Sequence, residues 1–299
     1  MTSGATPRVV VAWRPTEWEQ LLDRHATAGQ VRFFLESRDR DVDDVTDRHD
    51  LQQRALATVE AAIPTAWRRA QVRRDALASF LFEPDDVVVA VGQDGMVPNL
   101  AKYLRSQPVI GVNPDPERNE GLLVRFAAPD VADVIHDVVD ARAATEQRTM
   151  VEARLDDGQR LVALNELFVG HRSHQSARYL LMHGATMERQ SSSGIIVATG
   201  TGATGWTRSI VTERQSTLAL PSPSDQQVAF FVREAWPSVA TGAGLTEGLV
   251  EAATSLRVIS EMDGGVVFGD GIEDDRLELT WGQDVRIGPA PEHLTLVAS

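Results

Sequence analysis

The N-terminal half of the chain alternates short apolar runs with stretches of helical spacing. Continuous apolar runs at residues 8–13, 87–91 and 108–112 predict strands that are covered on both faces, as in a parallel sheet. Helical spacing is present at residues 50–62 and 97–106. A strand, a helix and a second strand at this spacing make one βαβ unit. This half is therefore predicted to be an α/β domain.

The pattern changes after a predicted helix at residues 130–141, whose valines and isoleucine recur on one face. Beyond it, apolar strands are separated by turns that contain glycine or aspartate, and residues 206–214 alone have convincing helical spacing. The turn Asp157-Gly158 predicts a hairpin. We expect strands at 150–155, 161–169, 178–182, 194–198, 228–232, 256–261, 277–280, 285–287 and 294–297.

The length of 299 residues suits two domains. We expect an α/β domain at residues 1–127, which carries a glycine loop, and a β-rich domain at residues 128–299. No internal repeat or low-complexity segment interrupts either part.

Composition excludes several classes of protein. With 43 acidic and 29 basic residues, the net charge of -14 would repel nucleic acid and anionic membrane surfaces, so neither is expected as a partner. Without cysteine, disulfides, thiolate metal sites and a cysteine nucleophile are excluded. No apolar run approaches the roughly 18 residues that a membrane span needs, and residues 1–7 are too short and polar for a signal peptide. We therefore expect a cytoplasmic protein.

Three histidines, His171, His174 and His183, raise the question of a metal site. They lie in polar surroundings, with no carboxylate at a suitable ligand spacing. A solvated loop accounts for them, and we predict no metal ligands in this chain.

The buried run at residues 87–91 leads directly into a turn, Gly92-Gln93-Asp94-Gly95, and then into a helix. Glycine lets the backbone turn tightly and approach a ligand, and the N–H groups at the start of a helix favour an anion. By charge, Asp94 is a poor phosphate ligand, but it can hold Mg²⁺ or accept a proton from an attacking hydroxyl. In the alternative interpretation, Asp94 simply caps the helix.

A second polar segment follows the strand at residues 108–112 and contains Asn113 and Arg118. The carboxyl ends of parallel strands are where ligands bind in open α/β sheets, so this segment is expected at the same edge as the glycine loop. Arg118 can pair with a phosphate. The favoured alternative is an ion pair with a neighbouring carboxylate such as Glu120.

Two polar residues, Asn165 and Glu166, interrupt an apolar strand in the β-rich half. Adjacent residues of a strand point to opposite faces, so one of the two is expected to face the core or a cleft. A buried glutamate needs hydrogen-bonding partners, which the two hydroxyls of a ribose supply. Alternatively, Glu166 faces solvent.

A run of small residues precedes the predicted helix at residues 206–214. Such a run leaves an open backbone surface for a ligand, with Trp206 available for stacking. Alternatively, it is a mobile loop and Trp206 packs in the core. The run comprises Thr199, Gly200, Thr201, Gly202, Ala203, Thr204 and Gly205.

Taken in order and spacing, these segments resemble the NAD kinases. That family's glycine loop reads Gly-Gly-Asp-Gly-Thr, a pattern shared with phosphofructokinases and diacylglycerol kinase, and residues 92–96 match it apart from Gln93 and Met96. Asn165-Glu166 matches the family's Asn-Glu pair. The resemblance covers essentially the whole chain. Segments that resemble the mitochondrial branch in particular are residues 28–37, 113–121, 199–206 and 262–265.

The resemblance implies a fold and an activity. The fold is an α/β N-terminal domain followed by a larger β-rich, β-sandwich-like domain, as in NAD kinases and diacylglycerol kinase. The activity is ATP-dependent phosphorylation of the 2′-hydroxyl of the adenosine ribose of NAD, which gives NADP. Mg²⁺ would accompany ATP, and the mitochondrial branch suggests a homodimer.

The resemblance also implies residue roles. Asp94 would act as the base on the ribose hydroxyl, and the backbone of residues 92–95 would hold nucleotide phosphates. Asn165 and Glu166 would hold the ribose hydroxyls of NAD, and residues 199–202 with Trp206 would line the adenine and ribose pocket. The full set of cofactor-binding candidates is Gly92, Gly95, Asn113, Arg118, Asn165, Glu166, Thr199, Gly200, Thr201, Gly202 and Trp206.

Gln93 and Met96 depart from the family's glycine loop. If the backbone at Gln93 requires a positive φ, glutamine there costs about 1 kcal/mol, and Met96 removes a hydroxyl that can bond a phosphate. Two alternatives stay open: a kinase of the same fold that acts on another nucleoside, sugar or lipid hydroxyl, and a catalytically silent nucleotide-binding protein. The phosphoryl donor and the choice between NAD and NADH are open as well.

Overall fold

A computed structural model describes residues 6–298, so most of the N-terminal segment 1–7 lies outside the described residues. The chain divides into two compact units, Met1–Glu146 with Thr295–Ser299, and Gln147–Leu294. No helix among the described residues is long and apolar enough to cross a membrane. The helices are α1 (Glu17–His25), α2 (Ala28–Glu36), α3 (Val42–Ala62), α4 (Met96–Ala101), α5 (Val131–Val139) and α6 (Trp206–Arg214).

The strands account for most of the second unit and for the centre of the first. They are β1 (Arg8–Trp13), β2 (Arg68–Arg73), β3 (Asp86–Val91), β4 (Pro108–Asn113), β5 (Phe126–Ala127), β6 (Thr145–Leu155), β7 (Arg160–Ala163), β8 (Glu166–His171), β9 (Ala177–His183), β10 (Thr186–Ser192), β11 (Ile195–Ala198), β12 (Gln227–Val232), β13 (Glu247–Glu251), β14 (Leu256–Ser260), β15 (Gly265–Gly269), β16 (Ile272–Leu279) and β17 (Asp284–Val297).

The first unit is built on a parallel sheet in the order β2-β1-β3-β4. Val10 of β1 lies between Ala70 of β2 and Val88 of β3. At the other edge of β4, Thr295 and Leu296 from the end of β17 pair with it in parallel. The three predicted strands and their parallel arrangement are therefore confirmed.

Helices α3 and α5 cover this sheet, and their apolar residues share one core with the valines of β1 and β3. The predicted helix at residues 50–62 is the C-terminal part of α3, which begins earlier because the Asp41 side chain accepts bonds from the first amides. The predicted helix at residues 97–106 is shorter, since α4 ends at Ala101.

The boundary between the compact units lies later in the chain than the predicted boundary at residues 127 and 128. Helix α5 packs through Val131, Ile135 and Val138 against the core of the parallel sheet. Its apolar face is thereby buried in the first unit, which continues to Glu146.

The second unit contains two antiparallel layers of strands. One layer has the order β10-β9-β14-β17 and also includes β6 and β7, and the other has the order β13-β12-β11-β8-β15-β16. Buried residues of both layers, such as Tyr179 and Phe230, share one core. A second apolar cluster, which contains Ile210, packs α6 on the six-stranded layer. The predicted β-rich unit is confirmed.

Two predicted strand boundaries in this unit were wrong. The predicted strand at residues 161–169 is broken: β7 pairs with β6, whereas β8 pairs with β11 and β15 in the other layer. Conversely, the predicted strands at 285–287 and 294–297 are one continuous strand, β17. In both cases the strand boundaries are decided by pairing with strands that are distant in sequence, which the local hydrophobic pattern does not show.

Candidate active site

The glycine loop follows β3 as the sequence predicts. Gly92 has a φ of 150°, a conformation that favours glycine, and its N–H donates to the carbonyl of Val112 at 3.1 Å. Gln93 is not among the described residues with positive φ, and its side chain is exposed. The strain expected for glutamine at this position is therefore absent. Met96 is buried, at 3% exposure.

Asp94 is held by a neighbouring loop. Its carboxylate accepts from the backbone N–H groups of Leu122 (3.0 Å), Leu123 (2.7 Å) and Val124 (3.1 Å). The Asp94 side chain does not cap α4, whose first residue follows Gly95 without a side-chain cap. The structure thus differs from the helix-cap alternative, and it gives Asp94 the task of fixing the loop at residues 122–124.

Asn113 organises the segment after β4. Its Oδ1 accepts from the N–H of Asp115 at 3.0 Å, and its Nδ2 donates to the carbonyl of Asn119 at 3.0 Å. Gly121 has a φ of 71°, and a Cβ there would lie 2.9 Å from Asn113 Nδ2. Because both ends of the Asn113 amide bond the backbone, this side chain shapes the loop in the structure.

Arg118 forms an ion pair, as in the favoured interpretation, but with different partners. It contacts Asp115 at 3.2 Å and Asp44 at 3.8 Å, rather than the expected Glu120. The hydrogen bond that the Arg118 guanidinium donates to Asp115 raises the pKa of Arg118. The side chain is half exposed, so the pair adds little stability and a phosphate can compete for the guanidinium.

Asn165 and Glu166 lie at the start of β8, where the chain passes from one layer of strands to the other. The carboxylate of Asp270 accepts from the N–H groups of Leu164 (2.9 Å), Asn165 (2.7 Å) and Glu166 (3.4 Å). The Asp270 N–H in turn donates to the carbonyl of Glu166 at 3.0 Å.

Glu166 is partly buried and electrostatically unusual. Burial, and then the nearby charge of Asp270, raises the pKa of its carboxyl to about 7. Near neutral pH the neutral form, which donates as well as accepts a hydrogen bond, is therefore populated. The alternative of a simply solvent-facing glutamate does not describe this side chain.

Thr199 holds the turn at residues 199–202 together. Its hydroxyl is buried and donates to the carbonyl of Leu164 at 2.6 Å while it accepts from the N–H groups of Thr201 (3.1 Å) and Gly202 (3.2 Å). Its N–H donates to the carbonyl of Asn165 at 2.9 Å. The turn and the Asn165-Glu166 segment are thus one hydrogen-bonded assembly.

The glycines of this turn are needed for packing within the chain. A Cβ on Gly202 would lie 2.2 Å from the carbonyl oxygen of Asn165, and one on Gly200 would lie 2.2 Å from the backbone of Ser222. Both glycines are buried. At these two positions, the small size of glycine serves backbone-to-backbone contact.

Trp206, the first residue of α6, packs in a short stack. Its ring is nearly parallel to that of Phe168, with centroids 6.2 Å apart, and the Arg233 guanidinium lies 4.9 Å from its centroid. Trp206 is 38% exposed, so it is not a core residue, but the indole is not fully available for stacking either. A ligand ring at this position would have to share the indole with these two neighbours.

The histidines have local roles. His171 Nδ1 accepts from the N–H of Ser173 at 3.1 Å, and His183 Nε2 lies 2.9 Å from the carbonyl of Leu249. Within residues 6–298 no group of three or more His, Cys, Asp or Glu side chains is placed to hold a metal ion.

The structure groups the candidates by unit. In the first unit it brings together the glycine loop, Asp94 and the segment after Asn113; in the second it joins Asn165, Glu166 and the 199–202 turn. Sequence reasoning missed Asp270, although Asp270-Gly271 is a turn signal, and both residues have positive φ. It also missed the backbone amides of residues 122–124, because no residue type in the sequence marks a backbone N–H group that binds a distant carboxylate.

Comparison with known proteins gives named relatives. No protein-family model matches the chain. An NAD kinase of Chlorobaculum tepidum is 24% identical over 219 residues, which cover 72% of each chain. The human protein named NAD kinase 2, mitochondrial, is 27% identical over an alignment that covers 50% of this chain and 51% of that one. The chain therefore spans about half the length of the human relative, and the resemblance to NAD kinases is confirmed.

Two solved structures share the fold. An NAD kinase from Archaeoglobus fulgidus in complex with ATP gives a TM-score of 0.58 at 18% identity, covering 97% of this chain and 93% of that chain. Yeast NADH kinase complexed with NADH gives a TM-score of 0.59 at 14% identity, covering 99% and 84%. At these identities the likeness establishes the fold, which confirms the predicted fold class.

Proposed function

We propose that this chain, a relative of the NAD kinases in sequence and fold, phosphorylates NAD with ATP to give NADP and ADP. The observation that carries the proposal is the likeness to NAD kinases over most of the chain, with Asp94 and the Asn165-Glu166 pair retained at strand ends. Relatives named NAD kinase act on this substrate, and one solved structure of the same fold is named NADH kinase.

In the proposed reaction the 2′-oxygen of the adenosine ribose attacks the γ-phosphorus of ATP. The new O–P bond forms as the bond from the γ-phosphorus to the β,γ-bridging oxygen breaks, and ADP leaves. The proton of the 2′-hydroxyl passes to the Asp94 carboxylate. A carboxylate offers about four acceptor positions, and three are used by backbone amides, so one remains for the hydroxyl.

Asn165 and Glu166 are proposed to hold the ribose hydroxyls of NAD. A ribose diol both donates and accepts hydrogen bonds, and so does a carboxyl group that exchanges its proton near neutral pH. The raised pKa of Glu166, about 7, therefore suits this partner. The Asn165 amide adds one donor and one acceptor group.

ATP is proposed to bind the first unit, with its phosphates at the backbone of Gly92 and Gly95 and near Arg118. The absence of a three-residue ligand cluster within the described range suits Mg²⁺ that arrives bound to ATP, since this ion usually binds through substrate phosphates and one or two carboxylates. When bound, it would offset phosphate charge in a chain of net charge -14.

The homodimer and the cytoplasmic location belong to the same proposal. The homodimer rests on the resemblance to the mitochondrial branch and the location on composition, and sedimentation of the purified chain would measure the first.

A second candidate function is NAD binding without phosphoryl transfer. The observation that favours it is the engagement of Asp94 by three amides, which occupy most of the acceptor positions of this carboxylate. Calorimetry that detects NAD binding, with no turnover on ATP, other triphosphates or polyphosphate, would support this candidate over the kinase.

The deciding experiment measures NADP formed by the full-length chain from NAD, ATP and Mg²⁺. The Asp94→Asn variant should lower the rate by about 100-fold or more, because an amide cannot accept the proton. The matched control is Asp85→Asn, at an exposed residue just before β3, which should keep the wild-type rate.

Two results would contradict the proposal. One is a wild-type chain that forms no NADP but phosphorylates another alcohol in an acceptor screen. The other is a folded Asp94→Asn variant that retains full activity, which would remove Asp94 from the proton transfer.

A further inference from the structure

We infer that Asp270 is a positioning residue, which holds the Asn165-Glu166 pair in the geometry needed to bind the ribose of NAD. The inference rests on the proposed function for the meaning of that pair. It goes beyond that function because it assigns a role to a residue about 100 positions away in the chain.

The first argument is the set of bonds around the pair. The Asp270 carboxylate accepts from three consecutive amides, those of Leu164, Asn165 and Glu166, and its own N–H donates back to the Glu166 carbonyl. One carboxylate that bonds three successive N–H groups fixes the backbone of the segment. Charge-assisted bonds of this kind are about twice as strong as neutral ones.

The second argument is that Leu164 and Asn165 lie outside any strand. They join β7 to β8, which pair in different layers, so their amides need partners from elsewhere. The Asp270 carboxylate accepts from the N–H groups of the segment. Thr199 bonds the carbonyl side, at Leu164 and Asn165. The backbone that carries the pair is thus held from both sides.

The third argument is the backbone of Asp270 itself. With a φ of 53°, it adopts a left-handed conformation that is uncommon for residues other than glycine, asparagine and aspartate. Glycine, which adopts this conformation freely, stands next to it at position 271. The turn favours aspartate at this position, and the side chain placed there makes the three bonds to residues 164–166.

The fourth argument is charge. Two turns are hydrogen-bonded to the backbone of residues 164–166: the β15–β16 turn and the 199–202 turn. Neither the 199–202 turn nor the residues just before Glu166 carry charge, so Asp270 is the charged group of these elements that acts on Glu166. Its negative charge favours the protonated form of the Glu166 carboxyl. Asp270 therefore influences both the position and the protonation of the pair.

The test compares Asp270→Asn with Asp274→Asn, an exposed aspartate on β16 whose change removes the same charge. Asp270→Asn should raise KM for NAD about tenfold or more and leave KM for ATP within about twofold, because the amide nitrogen faces an N–H donor. Asp274→Asn should change neither constant. Equal KM values for NAD in the two variants would overturn the inference.

A second readout follows protonation, which a purely structural role would not change. One limb of the pH profile of kcat/KM for NAD should report Glu166 and should be lost in Glu166→Gln. In Asp270→Asn this limb should move to lower pH by about half a unit or more, because a charge that repels the ionised Glu166 carboxylate has been removed. An unmoved limb would count against the assignment.

Two measurements keep the inference separate from the proposed function and from folding failure. If the wild type forms no NADP, the proposed function fails, but the coupling can still be measured. The pH-dependent change in the free energy of unfolding that Glu166→Gln causes should then differ between the wild-type and the Asp270→Asn backgrounds. If Asp270→Asn does not fold, amide exchange of the wild type decides: the amides of Leu164 and Asn165 should exchange slowly. Exchange as fast as in exposed loops would refute the inference.

Discussion

At the scale of single residues, two aspartates use the same physical device. Asp94 and Asp270 each accept from three consecutive backbone amides of a segment far away in sequence. A carboxylate that accepts several backbone amides is a strong acceptor, so each aspartate orders the loop that it bonds. The candidate residues of both units therefore depend on an acidic side chain for their geometry.

Glu166 gives a prediction about stability and pH. Its carboxyl has a pKa of about 7 in the folded chain but about 4.3 in an unfolded one. Between these values the folded state binds more protons, so the stability contribution is present at low pH and is lost as pH rises through 7. Glu166→Gln should therefore gain about 1 to 2 kcal/mol relative to wild type between pH 5 and pH 8.

Urea unfolding at pH 5 and pH 8 would measure this gain. Glu213→Gln, at an exposed position of α6, is the matched control and should show the same small difference at both pH values. A gain for Glu166→Gln that does not depend on pH would show that the glutamate is ionised at both.

At the scale of elements, the two glycine-rich segments have different physical roles. The segment at Gly95 is open, since a Cβ there would meet nothing within 4 Å. The turn at residues 199–202 is closed, because its glycines touch backbone of the same chain. Similar local sequence therefore marks open space in one case and internal packing in the other.

Alanine substitutions should separate these roles. Gly202→Ala places a Cβ 2.2 Å from the Asn165 carbonyl oxygen, and backbone cannot move aside as a flexible side chain can, so we expect a loss of about 2 to 3 kcal/mol. Gly95→Ala, in helical backbone with open space, should change stability by less than about 0.5 kcal/mol. Chemical unfolding of both variants tests this, and equal losses would contradict the packing role.

At the scale of the whole molecule, the chain returns to its first unit at the end. Thr295 and Leu296 pair with β4, and Val297 is buried in the core of the parallel sheet beneath α5. The first unit is therefore completed only when the last residues of the chain are present.

Val297→Ala should consequently destabilise the first unit, by about 2 kcal/mol, through a cavity in that core. Hydrogen exchange followed by mass spectrometry should show faster exchange in β1, β3 and β4, with β11 and β12 little changed. Val239→Ala, at a fully exposed residue, is the control. Faster exchange confined to the second unit would assign the C-terminal residues to that unit instead.

The sequence alone determined the features that short-range physics controls. Continuous apolar runs identified β1, β3 and β4 because a strand buried on both faces must be apolar throughout. The Gly92 turn and the α6 helix were likewise readable from local conformational preference and spacing. The order of the motifs also predicted the relationship to NAD kinases, which the comparisons confirm.

Only the tertiary structure decided the features that depend on partners distant in sequence. Four features join separate parts of the chain: the bonds of Asp94 to residues 122–124, the bonds of Asp270 to residues 164–166, the contact of Gly202 with Asn165 and the pairing of the last residues of β17 with β4. Hydrogen bonding and close packing act between neighbours in space. A sequence pattern indicates which residues need hydrogen-bonding or packing partners, but the partners themselves are determined by the tertiary structure.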